Sequence, residues 1–267
     1  DLEAANQVLQ QDRQRAIETE KMASLGRMVA GFSHEVNTPI GVAVGAVSQV
    51  AESAGKLQDL LHGDEVSEEL VAGNLASLID ASALAMSNLR RAASLVQSFK
   101  RTAVDQTSEI QRDFSLSQLV DDVVSTMRPL YRGAQIHFDV DCDPHVQLHG
   151  IAGAWTQILT NLCTNAHKHA FDNGKRAGAI QIRVARESSQ VVLRFRDNGV
   201  GMEPEHIQKA FEPFFTTRRN DGGSGLGLYI AYSLATQTLG GSLACNSTPG
   251  VGTEFVLCVP LHPLKQQ

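Results

Sequence analysis

The N-terminal part of the chain repeats apolar residues at alternating spacings of three and four. A first run contains Met22, Leu25, Val29, Phe32, Val36, Ala43, Ala46 and Val50, with Pro39 in the same register. A second run contains Leu75, Leu78, Ala85, Leu89, Ala92, Val96 and Phe99. This spacing places the apolar residues of each run along one face of an α-helix. The pattern predicts two long helices in an antiparallel hairpin, with a turn near Gly63 and Asp64.

A single helical hairpin cannot cover its own apolar seam, so two copies are expected to associate as a four-helix bundle about a two-fold axis. We therefore expect a homodimer. Residues 1–20 keep helical propensity but have only a weak apolar stripe. They fit a connecting coiled-coil helix and, equally well, a frayed helix in solvent.

Beyond residues 103–113 the pattern changes to short alternating strands mixed with amphipathic helices. The predicted strands are 135–141, 179–186, 190–197 and 253–259, and the predicted helices are 117–127, 154–170 and 226–238. The expected fold is a helical hairpin followed by an α/β sandwich. The expected divisions are a connecting helix over 1–20, the hairpin over 21–104, a linker over 105–112, the α/β domain over 113–262 and a tail over 263–267.

Composition narrows the choice of partner and compartment. The 267 residues carry a formal net charge of -6 and no basic tract, which argues against a nucleic-acid partner. The four cysteines lack metal-ligand spacing and suit a reducing compartment. No apolar run approaches the roughly 20 residues that span a bilayer, so we expect a cytoplasmic part without direct membrane insertion. Because the chain starts at Asp1 inside a helical pattern, a sensor region is expected upstream in the same polypeptide.

His34 falls at a heptad position that points away from the predicted seam. An exposed imidazole is an available nucleophile, although a single surface histidine is more often only a polar residue. Glu35 beside it is a candidate base that would hold the proton on one ring nitrogen. Thr38, one turn further on, shares the face of His34 and could orient a water. Pro39 removes one helical hydrogen bond, so a bend is expected below the histidine.

Residues 32–40, Phe-Ser-His-Glu-Val-Asn-Thr-Pro-Ile, resemble the H-box of sensor histidine kinases. The resemblance implies that His34 is the phosphoacceptor. Asn37 stands where many members of that family carry Arg or Lys, so a phosphate or partner contact through that basic residue is not expected here.

Three segments of the α/β domain contain candidates for a nucleotide site. Asn161, Asn165, Lys168 and His169 share much of one helix face, where carboxamide oxygens suit Mg²⁺ and a lysine neutralises phosphate, although a solvated face is the more usual outcome. Segment 197–202, Asp-Asn-Gly-Val-Gly-Met, lies at the end of a predicted strand. Its glycines permit a tight turn, and its carboxylate can accept a hydrogen bond from an amino group. A plain loop is the alternative interpretation. Segment 222–228, Gly-Gly-Ser-Gly-Leu-Gly-Leu, opens a predicted helix whose N–H groups suit phosphate, but a glycine loop alone is a weak signal.

The order and spacing of these segments resemble the GHKL, or Bergerat, ATPases. Residues 161–170 correspond to the N-box, 197–202 to the first glycine box, 211–215 to the F-box, 223–227 to the second glycine box and 250–253 to the third. The resemblance implies ATP and Mg²⁺ as cofactors. It assigns Mg²⁺ to Asn165 with support from Asn161, the adenine amino group to Asp197, and the phosphates and sugar to Lys168 and His169.

The same resemblance implies a lid over residues 203–224. Phe211, Phe214 and Phe215 would anchor this lid, and Arg218 stands where related short lids carry a basic residue. The residues implied to bind ATP are Asn161, Asn165, Lys168, His169, Asp197, Gly199, Gly201, Phe214, Arg218, Gly223, Ser224, Gly225, Leu226, Gly227 and Thr253. Those implied to act in the phosphoryl transfers are His34, Glu35 and Thr38.

Together the boxes imply a protein histidine kinase that uses ATP to phosphorylate His34 and passes the phosphoryl group to an aspartate in the receiver domain of a response regulator. Dephosphorylation of that regulator, through Thr38 and Glu35, is a further expectation. One rival is a GHKL protein that hydrolyses ATP, but residues 154–170 contain no glutamate to activate water. Another is an inactive scaffold related to the kinases, which a nucleotide-binding assay would identify.

Overall fold

The computed structural model describes residues 2–62, 67–105, 111–218 and 223–261, without the side chains of 2–28, 30 and 97–105. The chain divides into two compact units, residues 1–100 and 101–267, and each is described by itself. The finer domain boundaries expected at residues 20, 104 and 112 stay predictions. Outside the described part lie the side chains of Met22, Leu25 and Phe99, the expected turn at Gly63 and Asp64, Gly222 and the expected tail at 263–267.

The first unit consists of the long helix α1 (Leu2–His62) and most of a second long helix, α2 (Glu68–Asp105), whose last five residues fall in the second unit. Gln49 Nε2 donates to Ser77 Oγ at 3.2 Å, and Arg91 Nη2 lies 3.9 Å from Glu35 Oε2. From the first contact to the second, the residue number falls by 14 on α1 (49 to 35) and rises by 14 on α2 (77 to 91). The helices are therefore antiparallel, and the predicted hairpin is confirmed.

Helix α1 is continuous from Leu2 and passes through Pro39. Residues 2–20, whose sequence left both a coiled-coil helix and a frayed helix open, are helical. Pro39 is itself buried, so its ring takes part in the packing of the hairpin.

Each helix carries two apolar stripes instead of the single predicted seam. The inner stripe is buried between the helices and is made mainly of small residues, namely Pro39, Ala43, Ala46 and Ser53 on α1 and Ala81, Ala85, Ala92 and Leu95 on α2. The outer stripe lies one residue further along each helix and is exposed in the single chain, with Ile40, Val44 and Val47 on α1 and Leu75, Ile79, Met86, Leu89 and Val96 on α2. Short alanine side chains let the two backbones approach closely, and Leu75, Leu89 and Val96 of the second predicted run are exposed.

One of the described helices, over Glu68–Val96, is long and apolar enough to cross a membrane by length and composition, with a mean hydropathy of 1.4. The expectation that no run approaches this length is therefore wrong. The reason is that α2 has two apolar stripes, which together raise its mean hydropathy, and a helix packed inside a soluble bundle has the same composition.

The second unit contains a five-stranded sheet in the order β2-β4-β5-β7-β6 and a two-stranded sheet of β1 and β3. The β2–β4 pair is parallel and the other pairs are antiparallel. The four predicted strands are confirmed to within one residue at each end, whereas β1, β3 and β6 were not predicted. The strands are β1 (Arg112–Ser115), β2 (Ile136–Cys142), β3 (Gln147–Gly150), β4 (Gly178–Glu187), β5 (Gln190–Asp197), β6 (Ser242–Thr248) and β7 (Gly252–Pro260).

The helices of this unit are α3 (Leu116–Met127), α4 (Ala152–Asn165), α5 (Pro204–Lys209) and α6 (Gly227–Ser233). A short 3₁₀ turn, Arg128–Tyr131, follows α3, while α4 and α6 run directly into π-helical turns over Ala166–Ala170 and Leu234–Thr238. The helices predicted over 154–170 and 226–238 are therefore each an α-helix that ends in a wider π turn. Helix α5 was not predicted.

The core lies between one face of the large sheet and the helices. Ile180 and Ile182 of β4 are fully buried, and they meet Trp155 and Leu162 of α4 in one apolar cluster. Neighbouring strand residues point to the opposite face, where Arg183 pairs with Asp139 of β2 at 2.6 Å. The helices thus cover one side of the sheet.

Candidate functional site

Asp197 is the last residue of β5 and is paired in register with Thr253 of β7. It is only 3% exposed, and its Oδ1 accepts a hydrogen bond from Gly199 N at 2.9 Å. Burial raises the pKa of Asp197 to about 6, while the backbone N–H groups of Gly199 and Thr253 act in the opposite direction. A buried carboxylate with few donors is available to a ligand that brings a donor of its own.

Gly199 and Gly201 allow the loop after Asp197 to wedge between two other elements. A Cβ at Gly199 would clash with Ala170, at the end of the π turn after α4, and one at Gly201 would clash with the Thr248 carbonyl. Gly201 also has a left-handed φ of 71°. The glycines therefore bring the β5 loop, the α4 segment and the β6–β7 turn together.

Ser247 of β6 joins this loop to the third glycine box. Its Oγ accepts from Met202 N at 2.8 Å, lies 2.9 Å from Thr253 Oγ1, and donates to Gly252 O at 2.9 Å. Sequence reasoning missed Ser247, because β6 was not predicted and its partners are distant along the chain. This contact adds a side-chain link to Thr253, which the β5–β7 register already places beside Asp197.

Helix α4 carries Asn161 and Asn165 one turn apart, both half-buried. Asn161 Nδ2 is buried, and within the described part of the chain it has no hydrogen-bond partner. Its Oδ1 would lie 3.8 Å from a Cβ added to Gly227, the first residue of α6. A buried amide without a partner is destabilising, so Asn161 is a polar group suited to a ligand. Asn165 and Lys168 follow on the same helix and its π turn, where both are half-buried.

The segment from Phe211 to the second glycine box is anchored at Phe214. Phe214 is buried and has a left-handed φ of 66°, which is rare for a residue with a side chain. Gly225, also at φ 66°, packs so closely on the Phe214 backbone that a Cβ there would clash. Leu226 is fully buried, and Ser224 Oγ accepts from its N–H at 3.4 Å. The buried side chain of Leu226 therefore supports the loop.

Two side-chain contacts join the described end of the lid to the segment after α4. Thr217 Oγ1 lies 3.3 Å from His169 Nδ1. Arg218 Nη2 lies 2.6 Å from Asp172 Oδ1, and this bond holds the pKa of Asp172 below its ordinary value. Sequence reasoning missed Asp172, because only the folded chain places it beside the lid.

His34 and Thr38 lie on α1 of the first unit, and both are exposed. At about 100° of rotation per residue, they are about 40° apart and about 95° or more from the centre of either apolar stripe. They therefore occupy a third face of the helix. Thr38 Oγ1 donates to His34 O at 3.0 Å, which leaves its lone pairs available to accept a hydrogen bond.

Glu35 points the other way, toward α2. Its carboxylate lies 3.9 Å from the Arg91 guanidinium, and the Glu35 side chain is only 16% exposed. The contact fixes Glu35 at the edge of the inner stripe, beside the face that carries His34.

The second unit matches a known family. Residues 150–263 match the family described as histidine kinase-, DNA gyrase B-, and HSP90-like ATPase. The chain is 28% identical to sporulation kinase B of Bacillus subtilis, over 93% of this chain and 52% of that protein. It is 29% identical to the two-component sensor PprA of Pseudomonas aeruginosa, over 96% of this chain and 26% of that protein. The chain thus spans about half, or less, of the length of these relatives.

A solved structure aligns with most of this chain. The histidine kinase ThkA, in complex with the response regulator protein TrrA, aligns with a TM-score of 0.60 at 21% identity, covering 92% of this chain and 65% of that one. This likeness shows the fold.

The sheet, the glycine loops around Asp197 and the family match define residues 150–263 as an ATP-binding domain of this ATPase family. With the helical hairpin before it, the chain is similar over most of its length to sensor kinases of two-component systems.

Proposed function

We propose that this chain transfers the γ-phosphoryl group of ATP to His34 and then to an aspartate of a response regulator receiver domain. The observation that carries the proposal is the exposed His34, on a helix face clear of both apolar stripes, in one chain with an ATP-binding domain. A nucleophile that serves two partners in turn needs such an uncovered face.

Asp197 would receive the amino group of adenine. Its carboxylate is buried and already accepts from Gly199 N, so a purine amino group would add a donor where donors are few. Gly201, Thr253 and the second glycine box, Gly223 to Gly227, would close the pocket with backbone atoms. Lys168, His169 and Arg218 would neutralise the charge of the phosphates.

Mg²⁺ would be held by Asn165, with support from Asn161. Carboxamide oxygens, waters and phosphate oxygens form a normal ligand set for this ion. No group of three or more His, Cys, Asp or Glu side chains in the described ranges is arranged to hold a metal, so the ion would depend on the nucleotide for further ligands. When bound, it would neutralise charge on the β- and γ-phosphates. The buried atom of Asn161 that has no partner in the described part of the chain is its Nδ2, a hydrogen-bond donor, so support from Asn161 would include a hydrogen bond to a phosphate or water oxygen.

In the transfer step, a ring nitrogen of His34 attacks the γ-phosphorus. The nitrogen–phosphorus bond forms while the bond to the bridging oxygen breaks, and ADP leaves with that electron pair. Glu35 would hold the proton on the other ring nitrogen once its carboxylate turns from Arg91 of α2, 3.9 Å away, toward His34.

The chain would act as a homodimer. Ile79 and Met86 of the outer stripe are 57% and 52% exposed, and the stripe repeats at the same heptad spacing as the buried inner stripe. In a four-helix bundle each helix packs against two neighbours, so two stripes per helix are expected. The outer stripe of a second copy is the surface that fits it.

The regulator would dock on the third face of α1, where His34 and Thr38 are exposed. The ThkA structure, described as a complex with a response regulator protein, supports this class of partner. Thr38 would accept a hydrogen bond from a water that hydrolyses the regulator's phosphoaspartate. An upstream sensor region in the same polypeptide would control the kinase, and this part of the protein would lie in the cytoplasm, as expected of a domain that uses ATP.

The proposal is tested by incubating the full chain with ATP labelled in the γ-phosphate and Mg²⁺. A label that is lost in acid and kept in base is expected, since phosphohistidine has that stability. Release of phosphate without labelled protein would favour the hydrolysing ATPase, although α4 and its π turn contain no glutamate. Failure to bind nucleotide would favour the inactive scaffold.

A further inference from the structure

The guanidinium of Arg218 is held by a carboxylate outside the implied ATP-binding set. Arg218 Nη2 lies 2.6 Å from Asp172 Oδ1, and the Arg218 side chain is 24% exposed. The backbone of Arg218 is fixed as well, because its N–H donates to Thr216 Oγ1 at 3.1 Å and its carbonyl accepts from Gly223 N at 3.0 Å. The direction of the guanidinium is therefore set by Asp172.

Asp172 lies close to the groups assigned to the phosphates. It follows the π turn that carries Lys168 and His169, and it has a left-handed φ of 49°. Lys175 Nζ lies 4.0 Å from its other carboxylate oxygen. A negative charge thus occupies a basic neighbourhood in the protein without nucleotide.

We propose that Asp172 is a positioning residue that holds Arg218 in the absence of nucleotide, and that the triphosphate must take this guanidinium from it. The inference rests on the proposed binding of ATP. Carboxylate and phosphate oxygens match the same planar set of guanidinium donors, so the two compete for one group. The carboxylate also repels the incoming phosphates. Asp172 therefore weakens the binding of phosphates without affecting the adenine pocket.

The test compares ligands that differ only in their phosphates. Calorimetric titration of the full chain with a non-hydrolysable ATP analogue and with adenosine, in Mg²⁺, gives Kd for the wild type, Asp172→Asn, Arg218→Ala and the double variant. Asp172→Asn is expected to bind the analogue about twofold to fivefold more tightly, the range expected for one exposed charge pair. Its Kd for adenosine should be unchanged, and the gain should be largely lost when Arg218 is also replaced.

Asp139→Asn is the matched control. It breaks the Asp139–Arg183 pair, which has the same 2.6 Å contact but lies on the uncovered face of the sheet. Its Kd for both ligands should equal that of the wild type. Equal melting temperatures for the two Asn variants would show that both fold.

Three results would overturn the proposal. These are an unchanged or higher Kd for the analogue in Asp172→Asn, an equal gain for adenosine, and an equal gain with and without Arg218. A wild-type chain that binds neither ligand would instead contradict the proposed nucleotide site.

Discussion

Burial of the Asp197 carboxylate suits it to accept from a ligand, and the same burial lowers the stability of the folded protein when the carboxylate is charged. Its pKa rises from 3.8 to about 6, because burial disfavours the charged form more than the N–H groups of Gly199 and Thr253 favour it. The folded protein therefore binds the proton more tightly than the unfolded chain does. Stability from this group is fully present below about pH 4 and is lost as the pH rises through about 6.

Asp197→Asn should raise the stability of the nucleotide-free protein at pH 7 and weaken ATP binding. The shift of about two pKa units sets a ceiling of about 3 kcal/mol, and we expect a gain of about 1–3 kcal/mol. Thermal melting at pH 7 and pH 4 tests this, because the advantage of the variant should disappear at the lower pH, where Asp197 is neutral. Equal stability of both proteins at pH 7 would show that burial does not destabilise the carboxylate.

Asn165→Asp provides the contrast at the metal position. Its effect should appear in the Mg²⁺ dependence of ATP binding, whereas Asp197→Asn should change the preference for ATP over GTP. The same profile in both variants would contradict the division of roles.

Thr38→Ala should lose dephosphorylation of a phosphorylated regulator and keep most of the autokinase activity. The Thr38 hydroxyl donates to the carbonyl of His34 and can still accept from a water, so its loss removes that water's partner while the helix stays intact. Both rates should be measured in one preparation with regulator supplied. Unchanged dephosphorylation would remove Thr38 from the mechanism.

At the scale of the elements, helix α2 has one apolar stripe that packs within the hairpin and a second that is proposed to pack in the dimer. Met86 lies on the outer stripe and Leu84 lies on neither stripe, yet they are exposed to similar extents, 52% and 47%. Met86→Glu should produce a monomer at micromolar concentration with unchanged helix content, because an unpaired charge buried in the bundle costs about 3 kcal/mol or more.

Leu84→Glu is the control and should remain dimeric. Light scattering with circular dichroism measures both properties. A dimeric Met86→Glu protein, or a monomeric Leu84→Glu protein, would show that the outer stripe is not the interface.

The elements that the sequence predicted are those with strong, long patterns. Strands β4, β5 and β7 alternate buried and exposed residues over much of their length, and the hairpin repeats over many heptads. Strands β1 and β3 have only four residues each, and β6, Ser-Leu-Ala-Cys-Asn-Ser-Thr, has too few apolar residues to show a period. The sequence pattern did not distinguish the two stripes on each helix and predicted a single seam. The reason is that alanine counts as apolar in the pattern whether it packs inside the hairpin or outside it.

For the whole molecule, the candidate site could be predicted where it follows local motifs. The glycine boxes and the asparagine helix are contiguous segments, and the fold brings Asp197, Gly199, Gly201 and Thr253 together. Ser247 and Asp172 could not be predicted, because their partners are distant along the chain and neither residue type is diagnostic alone. The contact of Arg91 with Glu35 likewise depends on the register of the hairpin.

The central claim is that His34 is the acceptor of the phosphoryl group, and one measurement tests it most directly. The wild type and His34→Gln are incubated with Mg²⁺ and ATP labelled in the γ-phosphate, and their Kd for a non-hydrolysable ATP analogue is measured in parallel. His34 belongs to the first unit, and the residues proposed to bind ATP belong to the second. The account therefore predicts acid-labile label on the wild type, none on His34→Gln, and Kd values within about twofold of each other. Acid-labile label that persists on His34→Gln would contradict it.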